Sequence, residues 1–355
     1  MLRSWTTWIP LAGTVAVALT WGSKPGTPVL ILGGVLLAAA VLAAVQHAEI
    51  IAHRAGEPFG SLVLAVAVTV IEVGLIVALM TAGGPSTDTL ARDTVFAAVM
   101  ITLNGIVGVS VLVAALRDGQ AEFNPAGAAA ALTSVATLAT LTLVLPSFTT
   151  SRPGAEFAPA QLAFAAVASL VLYGLFLLVQ TVRHRDFFLP PDGATADDHA
   201  EPPSRRTALT SLWLLLLALV AVVGLAKLES PAIEDGVDAI GAPQSAVGVM
   251  IALLVLLPES IAAVRNARRG RVQISLNLAY GSAMASIGLT IPAIAIASIW
   301  LDGPLLLGLG ETQIVLLTIS ALVGALTVLP GRASVQQGAV HLALALAFVF
   351  LAIRP

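Results

Sequence analysis

The chain has 355 residues, 58% of them hydrophobic and only 10% charged, and its mean hydropathy of +0.97 is far above that of a soluble domain, which makes it an integral membrane protein. A net charge of -3 without any basic, aromatic-studded stretch excludes a nucleic-acid partner. The absence of cysteine excludes disulfides, thiolate metal sites and cysteine nucleophiles, and strand-alternating segments of the kind a membrane barrel needs are missing.

Apolar runs between turn-forming clusters predict an all-α polytopic fold of eleven helices, at 8-21, 28-46, 61-82, 93-116, 126-148, 159-182, 208-228, 243-264, 272-300, 311-329 and 335-353. The first run follows Arg3 and lacks a small-residue cleavage site, so it reads as a retained span rather than a signal peptide. The second leads into HAEIIAHRAGEP, which spaces Glu49, His53 and Glu57 by four residues at the end of a span. These three form either a pH-responsive cluster, because histidine titrates near neutrality, or an interfacial polar stripe with Arg54. They are not a zinc-protease motif, since His47 and His53 stand six apart.

The third run, GEPFGSLVLAVAVTVIEVGLIVALM, buries Glu72 in its middle, with Thr69 on the same helical face. The fourth carries Thr102, Asn104 and Ser110 with Gly105 and Gly108. After the sixth comes the longest connection, 184-207, rich in Pro, Asp and Arg and too polar to pack. The eighth run, IALLVLLPESIAAVRNARRGR, buries Glu259. Pro258 has no N–H to offer Leu254, which leaves a backbone oxygen free at that depth. In the ninth, Asn277, Gly281, Ser282, Ser286 and Thr290 form a polar stripe, the three hydroxyls recurring every fourth residue on one face, and Pro292 is expected to kink or break the helix. His341, in the eleventh run, has no evident acidic partner.

Twelve Lys and Arg fall on one side of the alternating connections and five on the other, which predicts a cytoplasmic N-terminus and an outer C-terminus in a plasma (inner) membrane. The linker divides the chain into a leading helix (1-21), a five-helix unit (28-183) and a second five-helix unit (208-355). An odd number of helices per unit makes the two run in opposite directions, as inverted repeats do, and brings Glu72 and Glu259 to the midplane from opposite sides.

An intramembrane carboxylate is by default a transport or relay site. The oxygen donors gathered around the pair, with Thr69, Asn104, Pro258, Asn277, Gly281, Ser282 and Ser286 in support, suit calcium, sodium or potassium and lack the imidazole or sulfur that favours zinc or copper. Two buried negative charges are costly when empty, whereas a dication or two protons make the site near neutral, so movement is easiest when loaded and the expected activity is exchange. Interhelical hydrogen bonding is the competing reading for each Ser and Thr. The rival functions are a non-transporting membrane regulator and an intramembrane enzyme. The expected partners are inorganic cations, protons and the bilayer, with no cofactor.

GEPFGSLVLAVAVTVIEV, LNGIVG, QTVRHRDFFLP and LPESIAAVRNARRGRVQISLNLAYGSAMASIGLTIP closely resemble the ChaA-type cation/proton antiporters of the calcium/cation antiporter superfamily, over His47 to Trp300. The resemblance implies an eleven-helix fold with two inverted repeats and efflux of calcium, sodium or potassium against protons. It matches Glu72 and Glu259 to the superfamily's paired acids, and Gly281 with Ser282 to the Gly-Ser of the following helix. The vacuolar-type branch carries Gly-Asn before each acid, where this chain has Thr69 to Ile71 and Leu256 to Pro258.

Overall fold

The computed structural model describes residues 4-23, 26-56, 59-82, 87-190, 202-301 and 303-355. Among them are eleven helices: α1 Trp5–Thr20, α2 Thr27–Ala55, α3 Phe59–Ala82, α4 Thr87–Asp118, α5 Pro125–Phe148, α6 Pro159–Arg183, α7 Arg205–Ala239, α8 Ser245–Arg268, α9 Val272–Ala297, α10 Glu311–Val328 and α11 Val335–Ile353. All but the shorter α1 are long and apolar enough to cross a membrane, and the fold is an all-α polytopic membrane fold. Helix starts follow local chemistry. Asn124 caps α5 by accepting from the N–H groups of Ala126 and Gly127 at 3.0 and 3.5 Å, with Pro125 in the first helical position. Ser204 caps α7 by accepting from Thr207 N–H at 3.1 Å.

Six helices depart from the sequence expectation, in three ways. α9 is continuous from Val272 to Ala297, so Pro292 does not break it. That proline is buried among packed helices, which hold the turn despite the missing N–H. α2 continues past 46 to Ala55 and α7 past 228 to Ala239, carrying polar side chains out of the apolar zone, because such side chains do not interrupt a backbone ladder. α4, α5 and α6 each contain a π turn, at Ile101–Ile106, Thr140–Val144 and Val179–Arg183.

The connections alternate between two faces. On one, the α4–α5 and α10–α11 connections pair antiparallel, Ala121 with Ala333 and Glu122 with Arg332. Arg117 Nη1 donates to the Arg268 carbonyl at 2.9 Å and Arg54 Nη1 to the Pro203 carbonyl at 3.3 Å on the same face. It also holds Arg183, Arg185, Arg205, Arg206, Arg265, Arg269, Arg271 and Arg332, and is called the basic face below. On the opposite face, Glu156 bridges Leu306 between the α5–α6 and α9–α10 connections, and Gly308 N–H donates to the Ala155 carbonyl at 3.0 Å. Among the described residues that face carries only Arg92, Arg152, Lys227 and Arg354 as Lys or Arg.

Helix packing is reciprocal between the two halves. α2 lies against α7; α3 packs on α9 as α8 packs on α4; α6 packs on α9 as α11 packs on α4. The α4–α11 contact is close because it is made over glycines. A Cβ on Gly108 would stand 3.0 Å from His341 Cβ, and one on Gly338 would stand 2.7 Å from the Leu112 backbone nitrogen.

Candidate functional site

Glu72 enters on α3 from the basic face and lies roughly 20 Å along that helix at the standard rise per residue. It is 2% exposed, and its Oε2 accepts hydrogen bonds from Ser286 Oγ at 3.1 Å and Thr290 Oγ1 at 3.0 Å, both on α9. Its other oxygen, Oε1, is buried without a hydrogen-bond partner. Glu259 lies on α8, roughly 14 Å from that helix's basic-face end. Its Oε2 is likewise buried without a partner.

A cavity of about 210 Å³ reaches Glu259. Ser61 in the first turn of α3, Gln180 in the last turn of α6 and Asn277 in the second turn of α9 line it, all near the basic face, and Gly281 and Ser282 line it closer to the acid. Open space beside Gly281 continues this void, since a Cβ built there meets nothing within 4 Å. Ser110 on α4 lies at a depth comparable to Glu259, roughly 12 Å from the basic-face end of its helix. Its hydroxyl is fully buried and, like Glu259 Oε2, has no partner.

The expected residues do not all converge. Ser286 touches Glu72, Gly281 and Ser282 share the cavity with Glu259, and Pro258 adjoins Glu259 in an unbroken α8. Thr69 is buried one turn before Glu72. Asn277 stands at the cavity mouth, where Nδ2 donates to the Phe188 carbonyl at 2.6 Å and Oδ1 accepts from Gln273 at 2.9 Å. Asn104 is directed to α10 and α11: its Nδ2 donates to Ser320 Oγ at 2.8 Å and its Oδ1 faces His341 Nδ1 at 3.3 Å. Glu49 and His53 are exposed near the basic-face end of α2, and Glu57 lies outside the described residues. Thr290, noted only as part of a polar stripe, is a direct partner of Glu72; its four-residue spacing from Ser286 was the available signal. Tyr173 and Gln180 of α6 line the cavity without having been singled out, because α6 lacks any charge inside its span.

With this geometry in place, comparison with known proteins identifies the lineage. The family described as sodium/calcium exchanger protein matches residues 26-182 and 210-354, two segments that fall on either side of the α6–α7 connection. The protein y4hA of Sinorhizobium fredii (strain NBRC 101917 / NGR234) is 45% identical over 358 residues, covering 99% of this chain and 96% of that protein. The sodium-potassium/proton antiporter ChaA of Escherichia coli (strain K12) is 34% identical over 343 residues, covering 94% and 92%. Among solved structures, the H+/Ca2+ exchanger CAX superposes with a TM-score of 0.70 at 16% identity, covering 98% of this chain and 91% of that one, a likeness of fold.

Proposed function

This chain belongs to the sodium/calcium exchanger protein family, and from that premise we propose that it is an antiporter exchanging calcium, or sodium and potassium, for protons, with Glu72 and Glu259 binding cation or protons in competition. The observation that carries this reading is the pair of carboxylates inside the spans, one from each half of the chain, each keeping one buried oxygen without a partner. A buried acceptor left unsatisfied is costly, and either a cation or a proton relieves it. Ser286 and Thr290 add hydroxyl oxygens at Glu72, and the partnerless Ser110 hydroxyl lies at the depth of Glu259, so the donor set is hard and suits alkali and alkaline-earth ions. The names of the relatives point to the same ion classes, sodium and potassium for ChaA and calcium for CAX.

The arginine-rich face is assigned to the cytoplasm, which places the N-terminus inside and the C-terminus outside. The reciprocal packing of α3 on α9 and of α8 on α4 supports two inverted five-helix repeats. The same symmetry supports alternating access. The cavity at Glu259 lies toward the basic face. A second cavity, of about 250 Å³, lies toward the opposite face between α4, α8, α10 and α11 and is lined by Asp93, Ser245 and Gln313. Asp93 holds that side together: it accepts from Thr89 at 2.9 Å, from Arg92 at 2.8 Å and from Gln313 at 3.5 Å. An empty, doubly charged site resists the change between the two forms, and cation or protons remove that cost, which favours exchange over uniport.

Inside-out vesicles test the reading. An imposed proton gradient drives cation uptake, with proton movement followed by a pH dye, and calcium, sodium and potassium are compared in parallel. Glu72→Gln and Glu259→Gln each abolish exchange while the protein remains folded and inserted. Exchange at the normal rate by either variant refutes the paired-carboxylate mechanism.

A further inference from the structure

We propose that His341 is a positioning residue for the cation site, acting through the wide turn of α4 that presents Ser110 to Glu259. This rests on the paired-glutamate reading above. His341 is 1% exposed inside α11, and the close contacts at Gly108 and Gly338 press it against α4. Its ring joins a directed chain of hydrogen bonds. Asn104 Oδ1, 3.3 Å from Nδ1, can only accept, so Nδ1 carries the hydrogen. Nε2 then accepts from Thr327 Oγ1 at 3.1 Å. Onward from Asn104, Nδ2 donates to Ser320 Oγ at 2.8 Å, and Ser320 Oγ donates to the Leu316 carbonyl at 2.7 Å. The four side chains come from α4, α10 and α11 and are each at most 2% exposed.

This chain grips α4 where its backbone departs from the α form. Residues Ile101–Ile106 make a π turn, in which Val107 N–H reaches back to the Thr102 carbonyl, and Asn104 lies inside it. A π turn inserts one residue into the helical count, so reversion to an α-helix would rotate everything beyond it by about 100°. Ser110 is four residues, about one turn, beyond the π turn. Such a rotation would turn its hydroxyl to another face of α4, whereas the wide turn holds it, buried and without a partner, at a depth comparable to that of Glu259. The side chains that grip the turn therefore set the direction of the Ser110 hydroxyl, although their own hydrogen bonds run to one another and not to a glutamate.

The test is cation-dependent exchange in inside-out vesicles for His341→Leu, His341→Gln, Ser320→Ala, Ser110→Ala and the double variant His341→Leu with Ser110→Ala. His341→Leu is expected to raise the apparent KM for the cation about tenfold with little change in the maximal rate. Ser320→Ala, which leaves the ring intact, is expected to shift KM in the same direction and covers the case in which His341→Leu fails to insert. The amide of His341→Gln can donate to Asn104 and accept from Thr327, so that variant returns KM to within about threefold of wild type with an unaltered pH profile. The double variant is no worse than the weaker-binding single variant, because both changes remove one contact. An unchanged KM in His341→Leu, a Gln variant as impaired as the Leu variant, or additive effects in the double variant overturns the proposal. Normal exchange by Glu259→Gln in the same preparation would instead defeat the site reading on which it rests.

Discussion

The two hydroxyls on Glu72 make different demands from the carboxylate they serve. Ser286 and Thr290 donate to one oxygen, leaving the other for cation or proton. Hydrogen bonds to a charged group contribute about 1.5–3 kcal/mol each. Ser286→Ala and Thr290→Val should therefore each raise the apparent KM for the cation about tenfold or more while preserving exchange at saturating cation, where the Glu72→Gln variant has none. Concentration series of initial exchange rates distinguish the two patterns, and loss of all exchange in Ser286→Ala would show that the hydroxyl does more than stabilise the carboxylate. The acids were legible in the sequence because a charge within an apolar run has few structural explanations. The amides were not. Asn104 has the residue type and depth of a ligand, yet its side chain turns toward Ser320 and His341, and no pattern of spacing reports which neighbour an amide faces.

At the level of helices, close approach is set by residues without side chains. α11 reaches α4 over Gly338, where a Cβ would stand 2.7 Å from the backbone nitrogen of Leu112 and cannot be relieved by a rotamer change. Gly338→Ala should cost about 1–3 kcal/mol through the forced separation of the two helices, seen as a lower thermal midpoint in detergent. Gly34 in α2 has nothing within 4 Å of an added Cβ, so Gly34→Ala should leave the midpoint unchanged or raise it. Equal effects at the two positions would remove the packing explanation. Helix existence and order could be read from apolar runs because lipid requires every backbone group to be paired within the span. The π turn of α4 and the unbroken passage of α9 through Pro292 could not, since both depend on which neighbouring helices hold the backbone in place.

For the whole molecule, the reciprocal contacts and the two cavities make a statement about access that composition alone reached only as an alternation of arginines. Ser61 lines the cavity toward the basic face and Ser245 the one toward the opposite face, each near the start of the helix that carries a glutamate. The chain has no cysteine, so Ser61→Cys and Ser245→Cys each introduce a single reporter. With the basic face in the cytoplasm, a membrane-impermeant thiol reagent should modify Ser61→Cys in inside-out vesicles and Ser245→Cys in right-side-out vesicles. If the carboxylate pair controls the interconversion, conditions that speed one reaction should slow the other, because a single population is being redistributed between two forms. Glu72→Gln and Glu259→Gln neutralise the buried charges and should allow interconversion without cation, so in those backgrounds the two labelling rates should lose their cation dependence. Rates that rise together would describe a path open to both faces at once and exclude alternating access, and the opposite sidedness would reverse the assigned orientation while leaving the exchange mechanism intact.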